Sequence, residues 1–258
     1  MVKLISIKKK INHFKQKSIT VSGDKSLSIR FVLLSSISKG KSVAYNLLKS
    51  EDVLNTIKCM KKLGIKINFR KSKCIVYGKG LHGLKYKKNL VLDAGNSGTT
   101  ARLICSILID CDYPIKIVGD RSLMKRDMKR IIKPLKMFGA TILDNNGKLP
   151  ILIKGTKYTK PINYTENLGS AQCKSAVMIA ALKTFGKTKL KCLPSRNHTE
   201  LMFKNVLNVP IKIRSKTKYD LLDLEGKKEI SSFKYKIPGD ISSASFFIVL
   251  ALLSDNSQ

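Results

Sequence analysis

The chain contains no tryptophan, only three histidines, and 17 acidic residues against 50 lysines and arginines among its 258 residues. No apolar run reaches the ~20 residues that a helix needs to cross a bilayer, so no membrane-spanning helix is expected. The N-terminus alternates Leu4, Ile5 and Ile7 with lysines and lacks the continuous apolar core of a secretory signal. No Cys-x-x-Cys pair occurs among Cys59, Cys74, Cys105, Cys111, Cys173 and Cys192, and His13, His82 and His198 are not spaced as metal ligands. No metal site is expected. Most of the cysteines sit in apolar runs, where a reduced thiol packs as a small hydrophobe, so a reducing, cytoplasmic setting is expected.

The shortage of acids leaves a formal net charge of +33. Such a charge suits nucleic acid or an anionic membrane surface. The lysines, however, are scattered and not gathered into one face or tail, which reads as compositional drift. Neither a nucleic-acid nor a membrane partner is expected. The charge still speeds capture of anionic small molecules by long-range steering.

Against these absences stands a repeat. Gly23-Asp24-Lys25-Ser26, Asn96-Ser97-Gly98-Thr99, Gly169-Ser170-Ala171-Gln172 and Gly239-Asp240-Ile241-Ser242 each open an apolar segment, roughly 70 residues apart. Small and hydroxyl residues at a helix start leave backbone N–H groups and the positive dipole end free for an anion. Helices apolar on all faces, Thr100 to Ile109 and Ala176 to Leu182 among them, are expected to be buried. Short strands follow at Ser42–Leu47, Ile115–Val118 and Thr188–Leu193.

Amphipathic helices come next. Val53, Leu54, Ile57, Met60 and Leu63 share one face of the first; Met128, Ile131, Ile132, Leu135 and Phe138 that of the second; Leu201, Met202 and Val206 that of the third. Strands at Ile65–Phe69, Ala140–Leu143 and Val209–Ile213 close the units, with Gly64 and Gly139 ending the first two outer helices. Hairpin-like strands at Cys74–Tyr77 and Ile151–Ile153 link them. Residues 23–237 therefore read as three copies of one αβαβ unit, an α/β fold. A fourth copy begins at Gly239, and its apolar helix, Ala244 to Leu253, has nothing after it to cover it.

Several residues could carry chemistry. Lys25, Ser26 and Arg30 put an ammonium, a hydroxyl and a guanidinium at one helix start, a phosphate or carboxylate site or simply a solvated basic helix end. Gly98 lets a ligand approach the backbone or is an ordinary capping glycine. Arg126 and Arg196 precede the second and third amphipathic helices at equivalent places, and equivalent positions in repeats face one centre. His198 is a general acid–base candidate or a structural histidine. Gln172 can hydrogen-bond a polyol or cap its helix.

Taken in order, these segments are recognisable. Gly23 through Arg30, Asn96 through Arg102, Gly119-Asp120 through Arg126 with Ile132-Lys133-Pro134-Leu135, Ser170 through Ala176, Arg196-Asn197-His198-Thr199-Glu200 and Pro238 through Ala244 resemble successive motifs of the 5-enolpyruvylshikimate-3-phosphate synthase family. The resemblance implies two lobes of repeated βαβαββ units with buried helices. Residues 1–22 would be the N-terminal strand of one lobe, 23–237 the whole of the other, and 238–258 an incomplete return. It implies transfer of the enolpyruvyl group of phosphoenolpyruvate to the 5-hydroxyl of shikimate 3-phosphate, without metal or organic cofactor, by a protein that is a monomer when full length. Lys25 would be catalytic. Lys25, Ser26, Arg30, Ser170, Ala171, Gln172 and Arg196 would hold shikimate 3-phosphate; Lys25, Gly98, Arg126 and Gln172 would hold phosphoenolpyruvate.

The chain departs from the family pattern at Asp127, where proline is usual, and at Asn197, where aspartate is usual. An acid beside Arg126 could weaken its hold on an anion. The family pattern also runs on past residue 258, and that part is expected to carry the proton-handling Asp and Glu. The chain alone is expected to be inactive, with Asp240 and Glu200 the acids to test first if it is not. The alternatives are UDP-N-acetylglucosamine enolpyruvyl transferase, disfavoured because Gly119-Asp120-Arg121-Ser122 carries no cysteine, and a remnant that only binds shikimate 3-phosphate.

Overall fold

The computed structural model describes residues 18–226 and 229–254; the expected strand over residues 1–22 lies largely outside them. Unit one runs α1 (Lys25–Ser36), β1 (Lys39–Tyr45), α2 (Glu51–Lys62), β2 (Lys66–Arg70) and β3 (Lys73–Lys79). Unit two runs β4 (Leu90–Asp93), α3 (Gly98–Ile107), β5 (Ile115–Val118), a 3-10 turn (Leu123–Lys125), α4 (Lys129–Met137), β6 (Thr141–Asn145) and β7 (Lys148–Lys154). Unit three runs β8 (Asn163–Glu166), α5 (Ala171–Ala181), β9 (Lys187–Cys192), α6 (His198–Asn205), β10 (Ile211–Ser215) and β11 (Asp220–Glu225). The short β12 (Lys234–Lys236) and α7 (Ile241–Leu253) follow.

Each unit makes one four-stranded sheet, in the orders β12-β1-β3-β2, β4-β5-β7-β6 and β8-β9-β11-β10. The first pair in each sheet is parallel and the others antiparallel. The first sheet thus borrows its parallel strand from beyond the third unit, and the three units close into a ring. Entry and exit chains meet where they cross. Asp24 N donates to the Pro238 carbonyl and Asp240 N to the Ser22 carbonyl, both at 2.9 Å, around an antiparallel bridge between Gly23 and Gly239. A Cβ on Gly23 would lie 2.0 Å from the Asn46 carbonyl oxygen, and one on Gly239 2.8 Å from Val21 Cγ2. Gly23 is thus required by the Asn46 backbone and Gly239 is closely packed against the Val21 side chain, which are different reasons from the anion approach that the sequence suggested.

The inner helices α1, α3 and α5 are buried nearly throughout, as their all-round apolar sequences require. Full burial of a side chain such as Ile29 or Leu33 contributes about 1.5–3 kcal/mol. Buried serines return their hydroxyl hydrogens to their own helix: Ser35 to the Phe31 carbonyl, Ser36 to Val32, Ser175 to Ala171. Helices α2 and α4 cover this core with the apolar faces read from the sequence, and end at Gly64 and Gly139, both at positive φ.

Helix α4 contains Pro134, which has no N–H to give to the carbonyl of Arg130. The Cys173 thiol of α5 takes that place, donating to the Arg130 carbonyl at 2.9 Å. Burial pushes this thiol up to about 12, so it stays protonated as a donor.

Three expectations need correction. The parallel strands β4, β8 and β12 went unread, being three or four residues long. The expected strands at Ser42–Leu47 and Thr188–Leu193 lie slightly earlier in the chain. Helix α6 is turned from its expected face. Met202 and Phe203 are buried but Leu201 is 47% exposed, because Glu200 points inward to Lys174 Nζ at 2.5 Å. As expected, α7 buries none of its residues, and Phe246 is 78% exposed.

Candidate functional site

The N-termini of the three inner helices converge. Asp24, Ser97 and Ser170 cap them, their side chains accepting from the N–H of Leu27, Thr100 and Cys173. Each cap satisfies one donor of the first turn and leaves others unused within the helix. A cleft of about 370 Å³ opens there, lined by Lys25, Ser26, Asp52, Asn96, Gly98, Thr99, Arg102, Arg126, Gln172 and Arg196. Larger concavities exist, notably about 780 Å³ beside α4. The smaller cleft stands apart because four cations face one carboxylate at converging helix dipoles, an arrangement that favours a multiply charged anion.

Six expected residues, Lys25, Ser26, Gly98, Arg126, Gln172 and Arg196, meet in this cleft. Arg126 and Arg196 do face one centre. Three others stand behind its lining. Arg30 is 3% exposed; its Nε donates to Thr199 Oγ1 at 2.8 Å, Nη2 to Ser175 Oγ at 2.9 Å and Nη1 to the Ser26 carbonyl at 3.1 Å. It ties α1 to α5 and α6 directly beneath Ser26. Burial lowers its pKa to about 10, opposed by the carboxylates of Glu200 and Asp24, so it remains charged at neutral pH. Ser170 uses its hydroxyl as a cap and its N–H on Glu166 Oε2. Ala171 opens α5 beside it. The fourth glycine motif lies outside the lining, so three and not four helix starts form the cleft.

Asp52, Asn96, Thr99 and Arg102 were not singled out as site residues. Arg102 had a readable signal: it lies four residues after Gly98 and therefore on the same helix face. Its Nη1 donates to Gln172 Oε1 at 2.6 Å and its Nη2 to the Asp127 carbonyl at 2.8 Å. Gln172 Nε2 donates in turn to Thr99 Oγ1 at 2.9 Å. Burial first, then Arg130 and Arg126, lowers the Arg102 pKa, and its Nε is buried without a partner. Asp52, at the start of α2, pairs with Lys25 Nζ at 3.1 Å.

The carboxylate of Asp127 is turned from the cleft: it accepts from Lys129 N at 2.7 Å and lies 3.9 Å from Arg130. The acids named for proton handling are also engaged. Glu200 pairs with Lys174, and Asp240 accepts from Ser242 N at 2.8 Å. Burial and the charge of Arg30 lower the pKa of His198, keeping its ring neutral near pH 7.

The profile of the family described as EPSP synthase (3-phosphoshikimate 1-carboxyvinyltransferase) matches residues 10–257. The chain belongs to the EPSP synthase family. It is 43% identical over 243 residues to a 3-phosphoshikimate 1-carboxyvinyltransferase of Caldicellulosiruptor saccharolyticus, covering 93% of this chain and 55% of the relative. It is 42% identical over 257 residues to that of Thermoanaerobacter pseudethanolicus, covering 98% and 58%. The solved EPSP synthase of Acinetobacter baumannii superposes with a TM-score of 0.84 at 34% identity, over 95% of this chain and 54% of that one. The chain thus spans a little over half the length of the EPSP synthases it matches. The described residues match that fold as a mixed α/β protein with three sheets and seven α-helices. None of these helices is long and apolar enough to cross a membrane.

Proposed function

We propose that the cleft binds shikimate 3-phosphate and phosphoenolpyruvate, and that the chain supplies the substrate-holding half of an enolpyruvyl transfer that releases phosphate. The observation that carries this reading is the meeting of Lys25, Arg102, Arg126 and Arg196 around one carboxylate at three helix starts. Family membership supports the reaction class. On this reading residues 23–237 form one lobe and 238–258 begin the return to the other.

Shikimate 3-phosphate lies over Ser26, Ala171 and Gln172, with Arg196 and the α5 start, capped by Ser170, receiving its phosphate. Arg30 supports that floor from beneath through the Ser26 carbonyl. Phosphoenolpyruvate lies beside Gly98, where the missing side chain leaves room against the guanidinium of Arg126, and Gln172 reaches both ligands. Lys25 leaves Asp52 for the anions and stabilises charge that develops as the 5-hydroxyl attacks, while the cleft supplies proximity. A UDP-N-acetylglucosamine substrate is disfavoured: all six cysteines are buried, and none lies in the 119–122 segment.

Isothermal titration of the chain tests the reading. Shikimate 3-phosphate is expected to bind, more weakly as salt rises, and shikimate far more weakly. Lys25→Ala and Arg196→Ala are each expected to cost about 1.5–3 kcal/mol of binding, the range for hydrogen bonds to charged groups. Lys41→Ala, an exposed lysine on β1, should cost nothing. Equal heats from shikimate and its phosphate, or equal effects of all three substitutions, refute the site.

A further inference from the structure

Arg126 is carried by irregular chain: it follows the 3-10 turn in extended conformation, so no helix fixes its long side chain. What holds it is a relay. Arg126 Nη2 donates to Asn96 Oδ1 at 2.7 Å, and Asn96 Nδ2 donates to Asp120 Oδ2 at 2.7 Å. Asp120 is itself anchored, its Oδ1 accepting from Leu123 N at 2.7 Å and its own N–H donating to the Gly95 carbonyl at 2.9 Å. The Leu123 N–H is also the main reason that its carboxyl stays below the usual range, and so ionised. A guanidinium can only donate and an ionised carboxylate can only accept. The amide of Asn96 between them therefore has one satisfying orientation, with oxygen to Arg126 and nitrogen to Asp120.

We propose that Asn96, backed by Asp120, is a positioning residue that pre-orders the Arg126 guanidinium in the cleft before any anion arrives. The chemistry fits the need: ordering a long cationic side chain in advance removes an entropic cost from binding. Asparagine does this without placing a negative charge against the incoming anion, as a carboxylate at 96 would. The proposal rests on the reading of the cleft as the phosphoenolpyruvate site only for its effect on affinity. The ordering of Arg126 is independent of it.

The test uses the full 258-residue chain labelled with 15N-arginine, the Arg126 Nε–Hε signal being identified by its loss in Arg126→Lys. In the ligand-free wild type this signal is expected to show an ordered side chain by heteronuclear NOE. Asn96→Leu, close in size but without the amide, is expected to abolish that order, and Asp120→Ala to reduce it. The exchange Asn96→Asp with Asp120→Asn keeps the summed charge and leaves every donor facing an acceptor, so order is expected to be retained. Circular dichroism checks that each variant is folded. Phosphoenolpyruvate titrated into Asn96→Leu is expected to bind about tenfold more weakly than to wild type.

Order unchanged in Asn96→Leu, or lost in a folded exchange variant, overturns the relay. A relay that behaves as expected in a chain with no affinity for phosphoenolpyruvate overturns the functional reading and leaves the relay standing. Affinity for phosphoenolpyruvate with unchanged Arg126 order in Asn96→Leu does the reverse.

Discussion

Gly98→Ala separates what this glycine does for the fold from what it does for the ligand. Gly98 is not among the residues at positive φ, so alanine can adopt its backbone, and as a helix former alanine is favoured over glycine by up to about 1 kcal/mol. The conflict is with side chains. A Cβ there would lie 2.8 Å from Arg102 Nη1 and 3.4 Å from Arg126 Nη1. Arg102 cannot swing away freely, because the same Nη1 holds Gln172 at 2.6 Å and Nη2 holds the Asp127 carbonyl at 2.8 Å. Relief therefore weakens a charge-assisted hydrogen bond worth about 1.5–3 kcal/mol, and the methyl group also fills space that a ligand needs. Phosphoenolpyruvate affinity is expected to fall by about 1–2 kcal/mol, roughly 5- to 30-fold. Stability to urea is expected to fall by about 0.5–2 kcal/mol, the weakened bond set against the gain in helix propensity. Shikimate 3-phosphate binding, which shares Gln172, should fall by less than phosphoenolpyruvate binding. Calorimetry with each ligand and urea unfolding read these out. Unchanged phosphoenolpyruvate affinity, or equal loss of both ligands together with a large loss of stability, would refute the reasoning.

Cys173→Ala is expected to lower stability by about 1 kcal/mol, since it removes the donor to the part-buried Arg130 carbonyl that Pro134 leaves unpaired. Cys173→Ser, which keeps a donor, should lose less; equal losses in urea unfolding would mean that packing alone matters. His198 predicts a pH dependence. Its folded pKa is lowered, mainly by burial, so the unfolded chain binds more protons once pH falls below the ordinary value of about 6.5. Its neutral form imposes no penalty above that pH, and stability declines as pH drops through it. His198→Asn should flatten that part of a Tm-against-pH curve, and an identical slope in the variant would exclude His198 as the cause. Turnover by the chain alone, followed as phosphate release with both substrates, should be negligible. Asp52, Glu200 and Asp240 are committed to Lys25, Lys174 and Ser242 N, and general acid–base groups typically supply about 10²–10⁴-fold. Robust activity would show that one of these pairings opens.

What the sequence revealed follows from how each element earns its place. The inner helices were legible because burial on every side makes them apolar on every side. Helices α2 and α4 were legible through one-sided periodicity. β4, β8 and β12 were not, because strands of three or four residues are fixed by parallel pairing with β5, β9 and β1 and carry no pattern of their own. The turn of α6 was hidden because an ion pair, Lys174–Glu200, and not an apolar stripe decides which face goes in. The glycines looked alike in sequence yet answer to different constraints: Gly23 to the Asn46 carbonyl, Gly239 to the Val21 side chain, Gly98 to two guanidiniums.

The repeat also explains the charge pattern of the cleft. Each unit contributes two points to its lining, the start of an inner helix and the start of the outer helix that follows. Inner starts supply Lys25 with Ser26, Gly98 with Thr99, and Gln172; outer starts supply Asp52, Arg126 and Arg196. The starts of the second and third outer helices supply arginine. The first unit breaks that symmetry with an acid, and it is also the unit whose inner helix carries a lysine. A third arginine at Asp52 would face Lys25 across about 3 Å with like charge, and the repulsion of such pairs drives a flexible ammonium out to solvent. Aspartate instead holds Lys25 inside the cleft at 3.1 Å with both side chains partly solvated. An anion entering beside Arg126 and Arg196 then competes for Lys25 from close range. On the proposed reading of the cleft, a ligand needs enough charge to displace a carboxylate before it draws the lysine over. Asp52→Asn is therefore expected to narrow the preference for phosphoenolpyruvate over a singly charged carboxylate in calorimetric titration, and an unchanged preference would refute this role.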